Sequence, residues 1–109
     1  VVQGIGQAMT ERTVYDADGQ LLTASFLDYA MPRADDMPRF YFETRNVPCV
    51  TNAFGIKGAG EAGSIGSSPA VMNAIADALY RAYGVADIDM PATPLSVWST
   101  IQAATRAAA

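Results

Sequence analysis

The chain has 109 residues, of which 50% are hydrophobic and 17% are charged, and its formal net charge at pH 7 is −4. It contains no histidine and one cysteine, so it supplies by itself no histidine-based catalytic triad, no internal disulfide, no zinc site that needs imidazole or several cysteines, and no iron–sulfur cluster. The acidic balance argues against nucleic acid and anionic membranes as partners, and without a long apolar run or a basic leader the expected location is cytoplasmic.

The first quarter of the chain predicts a helix followed by a β-hairpin. Apolar residues at helical spacing predict a short helix over residues 1–11, in which Gly4 and Gly6 favour close packing against another element. Asp18-Gly19 is a strong hairpin signal, because both residues tolerate a positive φ. Two strand-like runs flank this turn, at residues 12–16 and 21–25.

The rest of the chain predicts one strand, one loop and two helices. The aromatic, alternating residues 40–46 predict a strand, and the glycine-dense residues 55–66 predict a loop. Ser68-Pro69 is a cap followed by a first-turn proline, which predicts a helix that ends before Gly84, and Thr93-Pro94 predicts a last helix in the same way. We therefore expect an α+β fold, in which a small hairpin-containing sheet is accompanied by two C-terminal helices.

The ends of the chain suggest that it belongs to something longer. Helical spacing is already under way at Val1 and Val2, which predicts that the first helix starts upstream. The length itself supports one domain with one modest core that buries about two-thirds of the unfolded surface. Because charged residues are scarce, we expect part of the apolar surface to contact a partner or the remainder of a larger chain.

The loop around Glu61 is the most informative stretch, and it allows three interpretations. Gly58-x-Gly60-x-x-Gly63 matches the dinucleotide-binding pattern, but the predicted helix starts too late and Glu61 would face the pyrophosphate. A second interpretation is a plain connection with a solvated Glu61. In the third, Glu61 is a general base in a partly dry pocket, and the backbone amides of the loop bind ligand oxygens.

Several motifs together carry a family resemblance over essentially the whole chain. Lys57-Gly-Ala-Gly-Glu-Ala-Gly63, Ser68-Pro-Ala-Val71 and Met90-Pro-Ala-Thr-Pro-Leu-x-Val-Trp98 resemble the C-terminal end of the large, molybdenum-binding subunit of the xanthine dehydrogenase family. Gln3-Gly-Ile-Gly-Gln-Ala8 resembles an earlier segment of the same subunits. The family includes aldehyde oxidoreductases and aerobic carbon monoxide dehydrogenases. The resemblance implies that residues 1–109 are the C-terminal portion of a molybdopterin cofactor-binding domain.

The resemblance also implies roles for individual residues. By motif position Glu61 is the catalytic base beside the molybdenum. Gly60, Ala62 and Gly63 are the implied close-approach residues for the cofactor. The amide of Gln3 is an implied contact to the pterin, with helix capping or core hydrogen bonding as the alternative. The resemblance implies that no side chain ligates the metal, since the molybdopterin cofactor holds it, and molybdopterin cytosine dinucleotide is a candidate form of that cofactor.

For the complete enzyme, the resemblance implies oxidation of an aldehyde, an N-heteroaromatic compound or carbon monoxide with oxygen derived from water. The implied partners are the upstream remainder of the large subunit, an iron–sulfur subunit and an FAD-binding subunit. The chain alone is expected to bind no cofactor and to be inactive. The alternative from a different class is a non-catalytic α+β interaction or scaffold module.

Overall fold

A computed structural model describes residues 1–108 of the chain. Within them the regular elements are three α-helices and one 3₁₀ turn: α1 Val2–Met9, the turn Ala34–Asp36, α2 Ala62–Tyr83 and α3 Pro94–Ala107. The described residues contain no sheet, and their only strand-type pairing is one isolated bridge. The predicted α+β fold with a small sheet is therefore wrong, and this part of the chain is helical.

The hairpin signal at Asp18-Gly19 produces a turn but no ladder. Gly19 has a φ of +81°, and the turn brings the flanking runs together in a single antiparallel bridge between Tyr15 and Leu21. The amide of Leu22 donates a 2.8 Å hydrogen bond to the carbonyl of Val14. Because a two-stranded ribbon is marginal without further strands, pairing does not extend beyond this point.

The predicted strand over residues 40–46 is also absent. This segment has no regular secondary structure, and none of its backbone groups takes part in a ladder with the described residues. Its aromatic side chains are open to solvent, with Tyr41 91% and Phe42 79% exposed. An extended segment becomes a strand only when a neighbouring strand satisfies its amides and carbonyls, and the described chain offers none.

Helix α2 begins earlier than the cap signal predicts. It starts at Ala62, so Pro69 lies inside the helix and Ser68 is not its N-cap. The Ser68 hydroxyl instead donates to the carbonyl oxygen of Gly4 on α1 at 3.1 Å. The predicted end is confirmed, because Gly84 adopts the left-handed conformation with a φ of +69° and its amide donates to the Tyr80 carbonyl.

The start of α3 is as predicted. Thr93 is the N-cap, and its hydroxyl oxygen accepts a 3.2 Å hydrogen bond from the amide of Ser96, while Pro94 occupies the first helical position. The amide of Ala92 donates to the carbonyl of Ala8 at 2.7 Å, which fixes the segment before α3 against the end of α1. None of the helices in the described residues is both long and apolar enough to span a bilayer.

The core of the described chain is small. Its buried apolar residues are Ala8, Leu79 and Ala92. The accessible surface is 8666 Å² and the radius of gyration 18.4 Å. A compact domain of this mass would expose about 5,800 Å² and have a radius of gyration near 13 Å. The chain thus buries about half of its unfolded surface rather than the expected two-thirds.

Candidate functional site

Glu61 occupies the last turn before α2. Its carbonyl oxygen accepts from the amide of Ile65 at 3.0 Å, and the amide of Ala62 donates to the carbonyl of Ala59 at 3.2 Å. These bonds hold the backbone of the turn, whereas the Glu61 side chain makes no capping hydrogen bond and is exposed. The expected partly dry pocket is therefore not formed by the described residues alone, and the carboxylate is free to meet a group outside them.

The glycines around Glu61 fall into two classes. A Cβ atom built at Gly58 or Gly60 has no neighbour within 4 Å, so another molecule can approach the backbone there. At Gly63, by contrast, a Cβ would lie 2.7 Å from the backbone nitrogen of Val1. Gly60 therefore lies beside open space, and Gly63 allows the start of α2 to approach the start of α1.

Gln3 lies at the same end of the molecule as Glu61. It belongs to the first turn of α1, two residues after Val1, which is the neighbour of Gly63. Its side chain is exposed and makes no hydrogen bond to the described residues. Core hydrogen bonding is thus not its role within this part of the chain, and its side chain is open to solvent.

The close packing predicted at Gly4 is present, but the sequence analysis did not identify α2 as the partner of α1. Gly4 is buried, and a Cβ built on it would lie 2.8 Å from the carbonyl oxygen of Ser64 and 2.9 Å from the Ser68 hydroxyl, and would overlap the hydroxyl of Ser67. Ser67 is itself buried. The signal was available, since a glycine in a helix and a run of small residues elsewhere favour close helix–helix approach.

The geometry also bears on the dinucleotide-binding pattern. Helix α2 begins directly at Ala62, so the predicted delay between the glycines and the helix is wrong. The residues before Gly58 nevertheless form turns and irregular backbone rather than a strand. The dinucleotide fingerprint needs a strand that leads into the glycine turn. The described structure does not provide that context.

A cavity between α1 and the segment that follows the hairpin turn does not include Glu61 in its lining. It has a volume of about 740 Å³ and is formed by α1 and residues 26–37. At its wall the Tyr29 hydroxyl donates a 3.0 Å hydrogen bond to the Glu11 carboxylate. The cavity is partly open, and the residues predicted for the cofactor do not line it.

Comparison with known proteins supplies the wider context. The family model of the molybdopterin cofactor-binding domain matches residues 1–38. The large subunit of nicotine 6-hydroxylase from Paenarthrobacter nicotinovorans is 45% identical over 97 residues, which cover 89% of this chain and 12% of the relative. The large chain of carbon monoxide dehydrogenase from Hydrogenophaga pseudoflava is 31% identical over 102 residues, or 94% of this chain and 13% of the relative.

Solved structures agree with these relatives. Quinoline 2-oxidoreductase from Pseudomonas putida 86 superposes with a TM-score of 0.83 at 36% identity, over 93% of this chain and 13% of that chain. The Cu,Mo-containing carbon monoxide dehydrogenase gives a TM-score of 0.79 at 29% identity, over 95% and 14%. The chain thus spans 12–14% of the length of these relatives. It belongs to the family of molybdopterin-binding large subunits, as the C-terminal part of such a subunit.

Proposed function

We propose that the complete subunit carrying this sequence is part of a molybdenum hydroxylase in which Glu61 is the catalytic base. The substrate is an aldehyde, an N-heteroaromatic compound or carbon monoxide, and the oxygen added to it comes from water. The relatives are named for nicotine, 6-hydroxypseudooxynicotine, carbon monoxide and quinoline. The observation that carries the assignment of Glu61 is its exposed carboxylate in a turn whose glycines leave open space beside the backbone.

The residues present fit a bulky cofactor that brings its own metal ligands. The open side of Gly58 and Gly60 admits a large group without displacing any side chain. The amide of Gly63 lies in the first turn of α2, where backbone N–H groups have no intrahelical acceptor. It can donate to a cofactor oxygen, and the Gln3 amide can both donate and accept. Ala62 would contribute contact through its exposed methyl group, because its own amide already donates to Ala59.

Glu61 has the chemistry that a base needs. An ionised carboxylate is an acceptor-only group with two oxygens, so one of them can take the proton that a water-derived oxygen loses as it bonds to the substrate carbon. When bound, the molybdenum cofactor accepts the two electrons that leave the substrate. The small neighbours Gly60 and Ala62 leave the carboxylate unobstructed, and the backbone bonds of the turn hold its Cα in place.

The proposal also includes two further subunits of the enzyme. Electrons that reach the cofactor need a route away from it, which an iron–sulfur subunit and an FAD-binding subunit would supply. The names of two relatives, a subunit gamma of a complex and a large chain, describe proteins with more than one kind of subunit. The proposal also includes a cytoplasmic location for the enzyme and the cytosine dinucleotide form as a candidate form of the cofactor.

Replacing Glu61 by glutamine in the complete subunit tests the proposal. Glu61→Gln keeps the size of the side chain and removes the base, so kcat is expected to fall about 10²- to 10⁴-fold while molybdenum content stays at the wild-type level. Nicotine, quinoline, hypoxanthine, benzaldehyde and carbon monoxide form the substrate panel. Glu43→Gln, at an exposed carboxylate in residues 40–46, is the matched control. Turnover by Glu61→Gln within a few-fold of wild type would remove Glu61 from the reaction.

A further inference from the structure

We propose that Gly4 is a positioning residue for Glu61. Because Gly4 has no side chain, helix α2 packs directly against α1, and this contact sets the position of residues 59–62, which we call the Glu61 turn. The inference rests on the proposed function and adds a residue outside the glycine loop to it. Gly4 is separated from Glu61 by more than half of the chain, yet it contacts the two turns of α2 that follow Glu61.

The closest approach between the helices involves backbone on both sides. A Cβ at Gly4 would lie 2.8 Å from the carbonyl oxygen of Ser64, only three residues after Glu61. The serine hydroxyls nearby can rotate away from an added methyl group, but a helical carbonyl cannot move without its helix. A side chain at position 4 therefore displaces the first turn of α2, and Glu61 with it.

A hydrogen bond fixes the same contact. The Ser68 hydroxyl donates to the Gly4 carbonyl at 3.1 Å and lies 3.5 Å from the carbonyl of Ser64. Its reach to α1 depends on the absence of a side chain at Gly4. Closer to Glu61 along α2, a Cβ built at Gly63 would lie 2.7 Å from the backbone nitrogen of Val1. The first two turns of α2 are thus restrained by α1 along their length.

The Glu61 turn has few other restraints. The Glu61 side chain makes no capping bond, and Gly58 and Gly60 have open space where a Cβ would be. Within the described residues, this turn is restrained by its own backbone hydrogen bonds and by the contact of α2 with α1. Displacing a catalytic base by about 1 Å can slow the reaction about 10²-fold. The contact that positions the Glu61 turn against α1 therefore matters for the reaction.

The test compares Gly4→Ala with Gly66→Ala in the complete subunit, because Gly66 lies in the same helix with no atom within 4 Å of its Cβ position. Gly4→Ala is expected to lower kcat at least about tenfold with little change in KM, and to speed amide hydrogen exchange over residues 61–68. In a Glu61→Gln background it should lower kcat no further, because its effect passes through Glu61. Gly66→Ala should leave kcat at the wild-type value.

Two outcomes overturn the inference. One is a Gly4→Ala protein with wild-type kcat and exchange, and the other is an equal loss of kcat with and without Glu61. If Gly4→Ala does not yield folded protein, Ser68→Ala is the deciding variant. Faster exchange over residues 61–68 together with a kcat reduced several-fold would support the positioning role of the contact between α1 and α2. Wild-type values of both would overturn it. Failure of the proposed function looks different, because Glu61→Gln itself would then turn over normally.

Discussion

The hydroxyl of Tyr29 donates a 3.0 Å hydrogen bond to Oε2 of Glu11, and this bond joins the segment after the hairpin turn to the residues that end α1. The other oxygen of Glu11 lies over Gly6, where a Cβ would be 2.7 Å away. The hydrogen bond to Glu11 raises the pKa of Tyr29, and desolvation and the negative charge of Glu11 raise it further. The fold therefore favours the neutral phenol.

This linkage predicts a loss of stability at alkaline pH. The folded chain holds the Tyr29 proton more tightly than the unfolded chain. The protonated Tyr29 therefore adds to the free energy of unfolding below about pH 10, and this stabilisation is lost as the pH rises through the raised pKa of Tyr29. Tyr29→Phe should remove this part of the pH dependence. Urea unfolding of the purified chain between about pH 8 and 11, followed by circular dichroism, measures it. Tyr41→Phe, at an exposed tyrosine, is the control and should behave as wild type.

The cap of α3 gives a second prediction. Thr93→Ala removes the oxygen that accepts from the Ser96 amide, and the loss of such a cap costs about 1 kcal/mol. Hydrogen exchange over the first turn of α3 should become about fivefold faster, since local opening is favoured by that amount. Thr93→Ser keeps the oxygen and should exchange at the wild-type rate. Equal rates in Thr93→Ala and wild type would show that the first turn is held by other contacts.

Gly66 inside α2 and Gly84 directly after it predict opposite responses to the same substitution. Gly84→Ala places a methyl group on a residue with a φ of +69° and should destabilise the end of α2 by about 1–2 kcal/mol. Gly66→Ala lies in the helix with open space around it and should stabilise α2 by up to about 1 kcal/mol. Thermal unfolding followed by circular dichroism compares them. The same sign of change in both variants would contradict the prediction.

Cys49 provides a chemical probe of the loop before Glu61. Its sulfur lies 3.1 Å from the hydroxyl of Thr51, and this hydrogen bond, helped by the backbone around Thr51 and Asn52, lowers the pKa of the Cys49 thiol. Thr51→Val should restore a higher pKa and slow alkylation by iodoacetamide near neutral pH, because the thiolate is the reactive form. The rates should converge at strongly alkaline pH. Thr13→Val is the control, and a rate unchanged by Thr51→Val would exclude this hydrogen bond as the cause.

The sequence predicted the elements that depend on local chemistry. Helix α1, the end of α2 at Gly84 and the Thr93 cap were all predicted, because capping oxygens and left-handed glycines act within a few residues. The Ser68-Pro69 pattern predicted the wrong start for α2, because it too considers only neighbouring residues. It predicts that Ser68 caps the helix, whereas the Ser68 hydroxyl donates to the carbonyl of Gly4, 64 residues away in the sequence.

The predicted sheet failed because strands need neighbours that a short chain does not supply. Residues 40–46 have the composition of a strand but form no regular secondary structure, and Tyr41 and Phe42 are open to solvent. The same limitation applies to the site. The motif around Glu61 predicts a candidate carboxylate, and the structure brings Gly63 against Val1, two residues before Gln3, but the described residues leave the Glu61 carboxylate exposed.

The last prediction concerns the chain on its own. We expect the purified chain to contain no molybdenum and to oxidise none of the substrates named above. Its 8666 Å² of exposed surface is about half as much again as a compact domain of this mass exposes, and Glu61 is exposed beside the open glycines. A ligand held from one side gains too few contacts to offset the entropy lost on binding.

Molybdenum analysis by mass spectrometry, after expression in a host that makes the cofactor, checks this expectation, and the complete subunit produced in the same host is the control. We expect the complete subunit to carry molybdenum close to one atom per protein, because our proposal has the rest of the subunit supply the remaining contacts to the cofactor. Stoichiometric molybdenum in the chain alone would contradict the prediction. It would mean that Gln3 and the turn from Gly58 to Gly63 hold the cofactor without help from the rest of the subunit.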